Sequence, residues 1–141
     1  MILSDHFTSL NIKLTSIFRI LSNRYNLSYP QYCILMTIDA DGNPMSELAK
    51  SLGLDKSTLT RNIKVLINRQ LVSKYQDQQD LRVYKVVLTS GGENIKIQLY
   101  NDLDYFTSDL LNSLDNNMQD EIALLDKLIQ KLDSYELSKL Y

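Results

Sequence analysis

The sequence has few of the residues on which whole classes of protein function depend. Its 141 residues include one cysteine and one histidine, so it cannot form an internal disulfide and a Cys/His metal cluster is not expected. It has no tryptophan, and its four glycines and two prolines form no Gly-rich phosphate loop. No nucleophile with a partner base and no carboxylate pair stands in a catalytic motif. We therefore predict that the protein is not an enzyme and that it binds no cofactor and no metal.

Long apolar runs are also missing from the sequence. No stretch approaches the ~20 apolar residues that a membrane-spanning helix needs. The N-terminal residues lack the basic start and apolar core of a secretory signal peptide. Because there is no repeat and no low-complexity segment either, we expect one domain over residues 1–141, located in the cytoplasm and without a membrane partner.

The charges of the chain are unevenly distributed. The formal net charge is −2, yet residues 46–85 contain eight basic and four acidic residues, which gives this region +4 and leaves −6 for the rest. Overall acidity argues against a nucleic-acid partner. A basic region between acidic flanks, however, is typical of a surface that meets a polyanion. The middle of the chain is therefore where a nucleic-acid site is expected.

The N-terminal third has the pattern of two helices. Apolar residues at steps of three and four predict a helix over residues 5–24. Ser28 and Gln31 have the spacing of a capping box that opens a second helix, and Pro30 falls in its first turn, where the missing N–H costs nothing. Gly42 is expected to end this helix.

Two shorter helices are predicted next. Asn43 is the expected N-cap of a third helix, with Pro44 at its first position and Gly53 at its end. Asp55 is the expected N-cap of a fourth helix. Its predicted buried face consists of Leu59, Ile63, Leu66 and Ile67.

The third and fourth helices together predict a helix-turn-helix. They meet at Gly53, and the small Ala49, four residues earlier, allows close approach. The outer face of the fourth helix combines hydroxyls, an amide and two cations without a carboxylate, and it consists of Ser57, Thr60, Arg61, Lys64 and Asn68. Such a face suits phosphates and base edges in the major groove of DNA. The backbone N–H groups near Lys56, Ser57 and Thr58 are expected to be free for a phosphate.

A β-hairpin is predicted directly after this helix. The segments LVSKYQ and VYKVVL flank a polar tip, which is typical of two strands and their turn. A hairpin in this position is a wing, and Arg82 at its tip suits the negative potential of a narrow minor groove. Asp80 lies on the same side of an extended segment, so we expect its carboxylate to hold the Arg82 guanidinium.

Two amphipathic helices are predicted to complete the chain. Thr89 is the expected cap of the first and Asp115 the expected cap of the second. The predicted fold class is mostly α with a small β-hairpin (α+β). A winged helix-turn-helix core over residues 28–89 would be flanked by helical segments 1–27 and 90–141, whose apolar stripes need a partner surface.

The region from residue 45 to residue 92 resembles the core of the MarR family of bacterial winged-helix repressors. That family shows a "seLA…lgv.kstvtr" pattern, followed by D-x-R, five residues and L-T-x-x-G. The matching residues here are Asp80, Arg82, Leu88, Thr89 and Gly92. Two positions depart from the family pattern. Gln70 replaces a common glycine, so we expect a slightly different turn before the wing, and Leu81 replaces a second arginine that many relatives carry.

The resemblance implies a homodimer held together by the N- and C-terminal helices. Helix 56–68 would enter the major groove and wing 76–83 the minor groove of a pseudo-palindromic operator in double-stranded DNA. The protein would act as a repressor that a small molecule or an oxidant releases. The residues expected to contact DNA are Ser46, Lys56, Ser57, Thr58, Thr60, Arg61, Lys64, Asp80 and Arg82.

The identity of an effector is left open by the sequence. The segment SYPQY resembles the organic-peroxide-sensing branch of the family, but this chain lacks that branch's cysteine at the start of the first helix. Cys33 lies in an apolar helix, which predicts an inert thiol with a raised pKa; the alternative is a reactive thiol. The candidate effector pocket consists of Tyr25, Tyr29, Tyr32 and Cys33. The alternative function is a winged-helix module that binds protein rather than specific DNA.

Overall fold

The computed structural model describes residues 2–113 and 118–135. The chain forms two compact units, residues 1–102 and residues 103–141. The elements in chain order are α1 (Leu3–Asn23), α2 (Tyr29–Thr37), β1 (Asn43–Pro44), α3 (Met45–Leu52), α4 (Lys56–Asn68), β2 (Val72–Gln76), β3 (Tyr84–Leu88), α5 (Ser90–Asn112) and α6 (Met118–Asp133). The predicted fold class, mostly helical with a small antiparallel sheet, is confirmed. The predicted cap Asp115 and the side chains of Leu114 and Met118 lie outside the described residues.

The core of the first unit is shared by the helix-turn-helix and the hairpin. The fully buried apolar side chains come from α2, α3, α4, the sheet and α5, and they include Ile34, Leu35, Leu48, Leu59, Ile63, Leu66, Val72, Val86 and Leu99. Burial of each contributes about 1.5–3 kcal/mol. Because α4 and the wing contribute to one core, their relative placement is fixed by packing.

The start of α2 is as predicted, but its end is not. Ser28 Oγ accepts a hydrogen bond from the Gln31 amide at 3.4 Å, and Gln31 Oε1 accepts one from the Ser28 amide at 3.1 Å, so the capping box is confirmed. The helix ends at Thr37, not at Gly42, because Ile38 is already extended. Gly42 instead serves the following turn, with a φ of +76°, and a Cβ there would lie 2.7 Å from the Val86 carbonyl oxygen.

The prediction that Asn43 caps α3 is wrong. Asn43 and Pro44 form β1, an edge strand in which Asn43 lies opposite Val86 of β3. The Asn43 side chain binds Asp39 instead, accepting from its amide at 2.7 Å and donating to its carboxylate at 2.8 Å. The sheet therefore has three strands in the order β1-β3-β2 rather than the two of a simple hairpin. An edge position tolerates Pro44, which has no N–H to donate.

The passage from the wing into α5 is tightly built. Thr89 Oγ1 accepts from the Gly92 amide at 3.1 Å, which confirms the predicted cap, and donates to the Gln70 carbonyl at 2.6 Å. A Cβ on Gly92 would lie 1.9 Å from the Leu71 carbonyl oxygen, so only glycine fits there. Gln70 itself has a φ of +58°, the left-handed conformation that glycine favours, at a cost of about 1–2 kcal/mol. The turn before the wing is thus formed by a non-glycine residue.

The outer helices leave much apolar surface uncovered in the single chain. On α1, Phe7 and Leu10 are exposed. On α6 the exposed apolar side chains are Ile122, Leu124, Leu125, Ile129 and Leu132. Within the described ranges, no helix has the combined length and apolar character that crossing a membrane requires.

Candidate nucleic-acid interface

Helix α4, the second helix of the helix-turn-helix, presents a polar face to solvent. Leu59, Ile63 and Leu66 attach the helix to the core, whereas Ile67, which was predicted to be buried, is 37% exposed. The side chains exposed on the outer surface of α4 include Lys56, Ser57, Thr60, Arg61, Lys64 and Asn68. The structure thus places the predicted cations and hydroxyls of this face where an external ligand can reach them.

The start of α4 differs from the prediction. The Thr58 N–H is not free, because the Asp55 carboxylate accepts it at 2.8 Å and also accepts the Thr58 hydroxyl at 2.6 Å. The Ser57 hydroxyl donates to the same carboxylate at 2.5 Å. These hydrogen bonds from Ser57 and Thr58 hold the pKa of Asp55 well below its usual range. The phosphate site expected on free N–H groups near Lys56, Ser57 and Thr58 is therefore partly lost, because the Thr58 N–H is taken by the helix's own cap, Asp55.

The wing tip is organised by two aspartates. Asp77 Oδ1 accepts the amides of Gln79 at 2.8 Å and Asp80 at 3.1 Å, while Asp77 Oδ2 lies 2.6 Å from Lys85 Nζ. The hydrogen bond from Lys85 is the largest cause that lowers the pKa of Asp77 to about 2. The tip is therefore closed around an ionised carboxylate.

Asp80 holds Arg82 as predicted. Its Oδ1 accepts the Arg82 backbone N–H at 3.0 Å and the guanidinium Nε at 3.2 Å. The Arg82 side chain is nevertheless 92% exposed, so its remaining donors point to solvent. Leu81 beside it is also exposed, and its carbonyl accepts from the Gln76 side-chain amide.

A cavity of about 450 Å³ lies between α3, α4 and the wing. Its lining consists of Met45, Ser46, Ala49, Lys56, Leu59, Thr60, Lys74, Arg82, Val83 and Tyr84. Four of the predicted DNA-contacting residues, Ser46, Lys56, Thr60 and Arg82, thus meet at one site.

Lys74 and Tyr84 also line this cavity, and the sequence reasoning missed both. The Lys74 ammonium lies 4.7 Å from the centroid of the Tyr84 ring. In the sheet, Lys74 pairs with Val86 and Gln76 pairs with Tyr84, so Lys74 and Tyr84 are diagonal neighbours on one face. The strand register was the signal that could have identified them.

Arg69 is a second residue that the sequence reasoning missed. Its guanidinium donates to the Asn26 carbonyl at 2.6 Å and to the Tyr25 carbonyl at 2.8 Å. Arg69 follows the last residue of α4, and the two carbonyls belong to the turn between α1 and α2. It therefore fixes the C-terminal end of α4 without lying on the exposed face of that helix.

The candidate effector residues are only partly brought together. Tyr32 stacks on Tyr29 and on Phe18, with ring centroids 6.1 and 5.6 Å apart. Cys33 is half-buried, and burial raises the pKa of its thiol, as predicted, although a hydrogen bond with Tyr29 partly opposes the shift. Burial also raises the pKa of Tyr32 to about 12. Tyr25 is engaged elsewhere, since its phenol donates to Asp102 at 2.9 Å.

Comparison with known proteins identifies the family. Residues 16–99 match the family described as transcriptional regulator SarA/Rot. The HTH-type transcriptional regulator MgrA of Staphylococcus aureus is 31% identical over 111 residues, which cover 77% of this chain and 71% of MgrA. The HTH-type transcriptional regulator YhbI of Bacillus subtilis, itself uncharacterized, is 32% identical over 84 residues, 59% of this chain; the match spans about half, 54%, of YhbI.

A solved structure extends the comparison to the fold. The structure of a mutant MarR from E. coli complexed with operator DNA has a TM-score of 0.73 and 25% sequence identity, and the match covers 92% of each chain. These matched proteins are transcriptional regulators, not enzymes. The resemblance to MarR regulators is therefore confirmed, and the chain belongs to the SarA/Rot family of winged-helix transcriptional regulators.

Proposed function

We propose that this regulator is a homodimeric repressor that binds a pseudo-palindromic operator through α4 in the major groove and the wing in the minor groove. The observation that carries the proposal is the exposed face of α4, where Thr60, Arg61, Lys64 and Asn68 offer hydrogen-bond donors and two cations. Arginine and asparagine side chains at such positions can bond base edges, and lysine can bond phosphates.

The wing supplies the second part of the proposed contact. Asp80 fixes one edge of the Arg82 guanidinium and leaves the other donors exposed. A pre-oriented arginine loses little conformational freedom when it enters a minor groove, where the negative potential attracts it. In this proposal the carboxylate of Asp80 contributes to DNA binding through Arg82, which it holds in place.

Dimerisation is supported by the uncovered apolar stripes of α1 and α6. Helices of monomeric proteins rarely leave so many large apolar side chains exposed, and a twofold interface would bury those of each helix. Two copies of α4 would then reach half-sites ~34–36 Å apart, or a multiple of that distance. Bound across a promoter in the cytoplasm, the dimer would block transcription. A small molecule or an oxidant would release it. Tyr29, Tyr32 and Cys33 are the candidate pocket for a small molecule, with Cys33 as an inert thiol of that pocket.

The test uses duplexes tiled across the intergenic region upstream of the protein's own gene. Fluorescence anisotropy at several salt concentrations should identify one duplex that binds much more tightly than the others, with affinity falling steeply as salt rises. Lys64→Gln should weaken this binding, and Lys13→Gln, a matched charge change on exposed α1, should not. Absent or salt-insensitive binding would instead favour the alternative, a winged-helix module that binds protein.

A further inference from the structure

We propose that the cavity between α3, α4 and the wing seats one strand of the DNA backbone, with Lys74 as a phosphate ligand. The inference rests on the proposed function and extends it to a residue outside the recognition helix and the wing tip. In duplex DNA, a sugar–phosphate strand separates each major groove from the neighbouring minor groove. A protein that inserts α4 into one groove and the wing into the next must therefore straddle that strand. The cavity is the space between these two elements.

The lining of the cavity suits a phosphodiester strand. Three cations reach it from three elements: Lys56 from α4, Lys74 from β2 and Arg82 from the wing tip. The hydroxyls of Ser46 and Thr60 add polar groups. Its apolar lining, which suits sugar carbons, consists of Met45, Ala49, Leu59 and Val83.

No carboxylate is among the described residues that line the cavity. Three carboxylates lie within two residues of this lining in sequence. Asp55 is engaged by Ser57 and Thr58 and Asp80 by Arg82, whereas Glu47, next to Ser46, is exposed on α3 and does not line the cavity. Arg82 already pairs with Asp80, and the positive charges of Lys56 and Lys74 share the same concave surface with it, so the site favours a polyanion over solvent.

The Tyr84 ring holds Lys74 in place for this role. A lysine ammonium 4.7 Å from a ring centroid lies within the range of a cation–π contact. Both residues stand on the same face of the β2–β3 hairpin. This contact keeps the ammonium at the cavity wall, so less side-chain freedom is lost when a phosphate binds.

The first experiment compares two lysine variants on DNA that the protein itself has selected from a randomised duplex pool. Lys74→Gln should weaken binding to the selected duplex and to unrelated DNA by the same factor, and lower the slope of log affinity against log salt by about one. Lys13→Gln is the matched control on α1 and should leave the slope unchanged. Tyr84→Leu should weaken binding less than Lys74→Gln does. Circular dichroism melting verifies that each variant is folded.

The second experiment locates the phosphate. Single phosphates of the selected duplex are replaced one at a time by neutral methylphosphonate, and each duplex is titrated with wild type and Lys74→Gln. Neutralising one phosphate between the major-groove and minor-groove contacts should weaken the binding of wild type. The same replacement should leave the affinity of Lys74→Gln unchanged. Additive effects at every phosphate, or a Lys74→Gln variant that behaves like Lys13→Gln, would overturn the inference while the proposed function stands. A wild type that selects no duplex would overturn both.

Discussion

The winged-helix core and the outer helices differ in how far their apolar side chains are exposed to solvent. In the core, leucines such as Leu48, Leu59 and Leu66 are almost completely buried within one chain. On α6, the same residue type at Leu125 and Leu132 remains more than half exposed. The core therefore carries its own stability, whereas the outer helices have a surface whose burial requires something beyond the single chain. The proposed DNA contact and the proposed dimer contact thus lie in different parts of the sequence.

The largest expected effect comes from one substitution made in both regions. Leu66→Ala removes a side chain that is 0% exposed and should lower the free energy of unfolding by about 2–5 kcal/mol. Leu125→Ala should leave the core fold intact and instead weaken self-association. Urea denaturation measures the first effect and sedimentation at micromolar concentration the second. A wild type that sediments as a monomer would contradict the proposal that the outer helices bury their apolar side chains by self-association.

The next effect tests the DNA side at the wing. Arg82→Ala should weaken operator binding by ~1–3 kcal/mol, because it removes the exposed guanidinium that would enter the minor groove. Arg24→Ala is a control, since it removes an exposed arginine that pairs with Asp102 and lies outside the DNA-contacting set. Equal affinities of wild type and Arg82→Ala for the operator in anisotropy titrations would contradict the proposal that the wing contacts DNA.

A smaller effect concerns the acid stability of the wing tip. The pKa of Asp77, about 2, lies below the ordinary 3.8, so its contacts contribute stability above pH ~3.8 and lose it as the pH falls toward 2. Carboxyl carbon chemical shifts should give a titration midpoint near 2 for Asp77. The Asp77→Asn variant should shift the Gln79 and Asp80 amides at every pH. A midpoint near 3.8 would show that the Lys85 pairing does not persist in solution.

The smallest expected effect is at Cys33. Because burial raises the pKa of the thiol, little thiolate is present near neutral pH to react with peroxide. Wild type and Cys33→Ser should therefore lose DNA binding to the same small extent during peroxide titration. If Cys33→Ser instead keeps its DNA binding at peroxide concentrations that release wild type, Cys33 is the sensor. The cluster of Cys33 with Tyr29 and Tyr32 would then be a regulatory site.

Local signals were sufficient to predict much of the fold and part of the site. The predicted contacts that were confirmed join residues only two or three positions apart, so the sequence alone identifies both partners. They are Ser28 with Gln31, Asp55 with Thr58, and Asp80 with Arg82. One consequence was missed: because Asp55 caps α4, its carboxylate accepts the Thr58 N–H that was expected to be free.

The missed features depend on contacts between distant parts of the chain. Asn43 was predicted as a cap from its neighbours, but its pairing with Val86 across the sheet decides its structure. Arg69 binds carbonyls more than forty residues earlier, at Tyr25 and Asn26. No local pattern specifies such contacts, because the partners are far apart in the sequence and meet only in the folded chain.

The junction at Gly92 limits how the protein can change shape. The Gly92 Cα faces the Leu71 carbonyl with no room for a side chain, and Thr89 ties the same point to Gln70. The start of α5 is therefore packed directly against the turn that precedes the wing, so we expect the two to move together. In the proposed dimer, any adjustment of the distance between the two α4 helices must come from bending at another point in the chain.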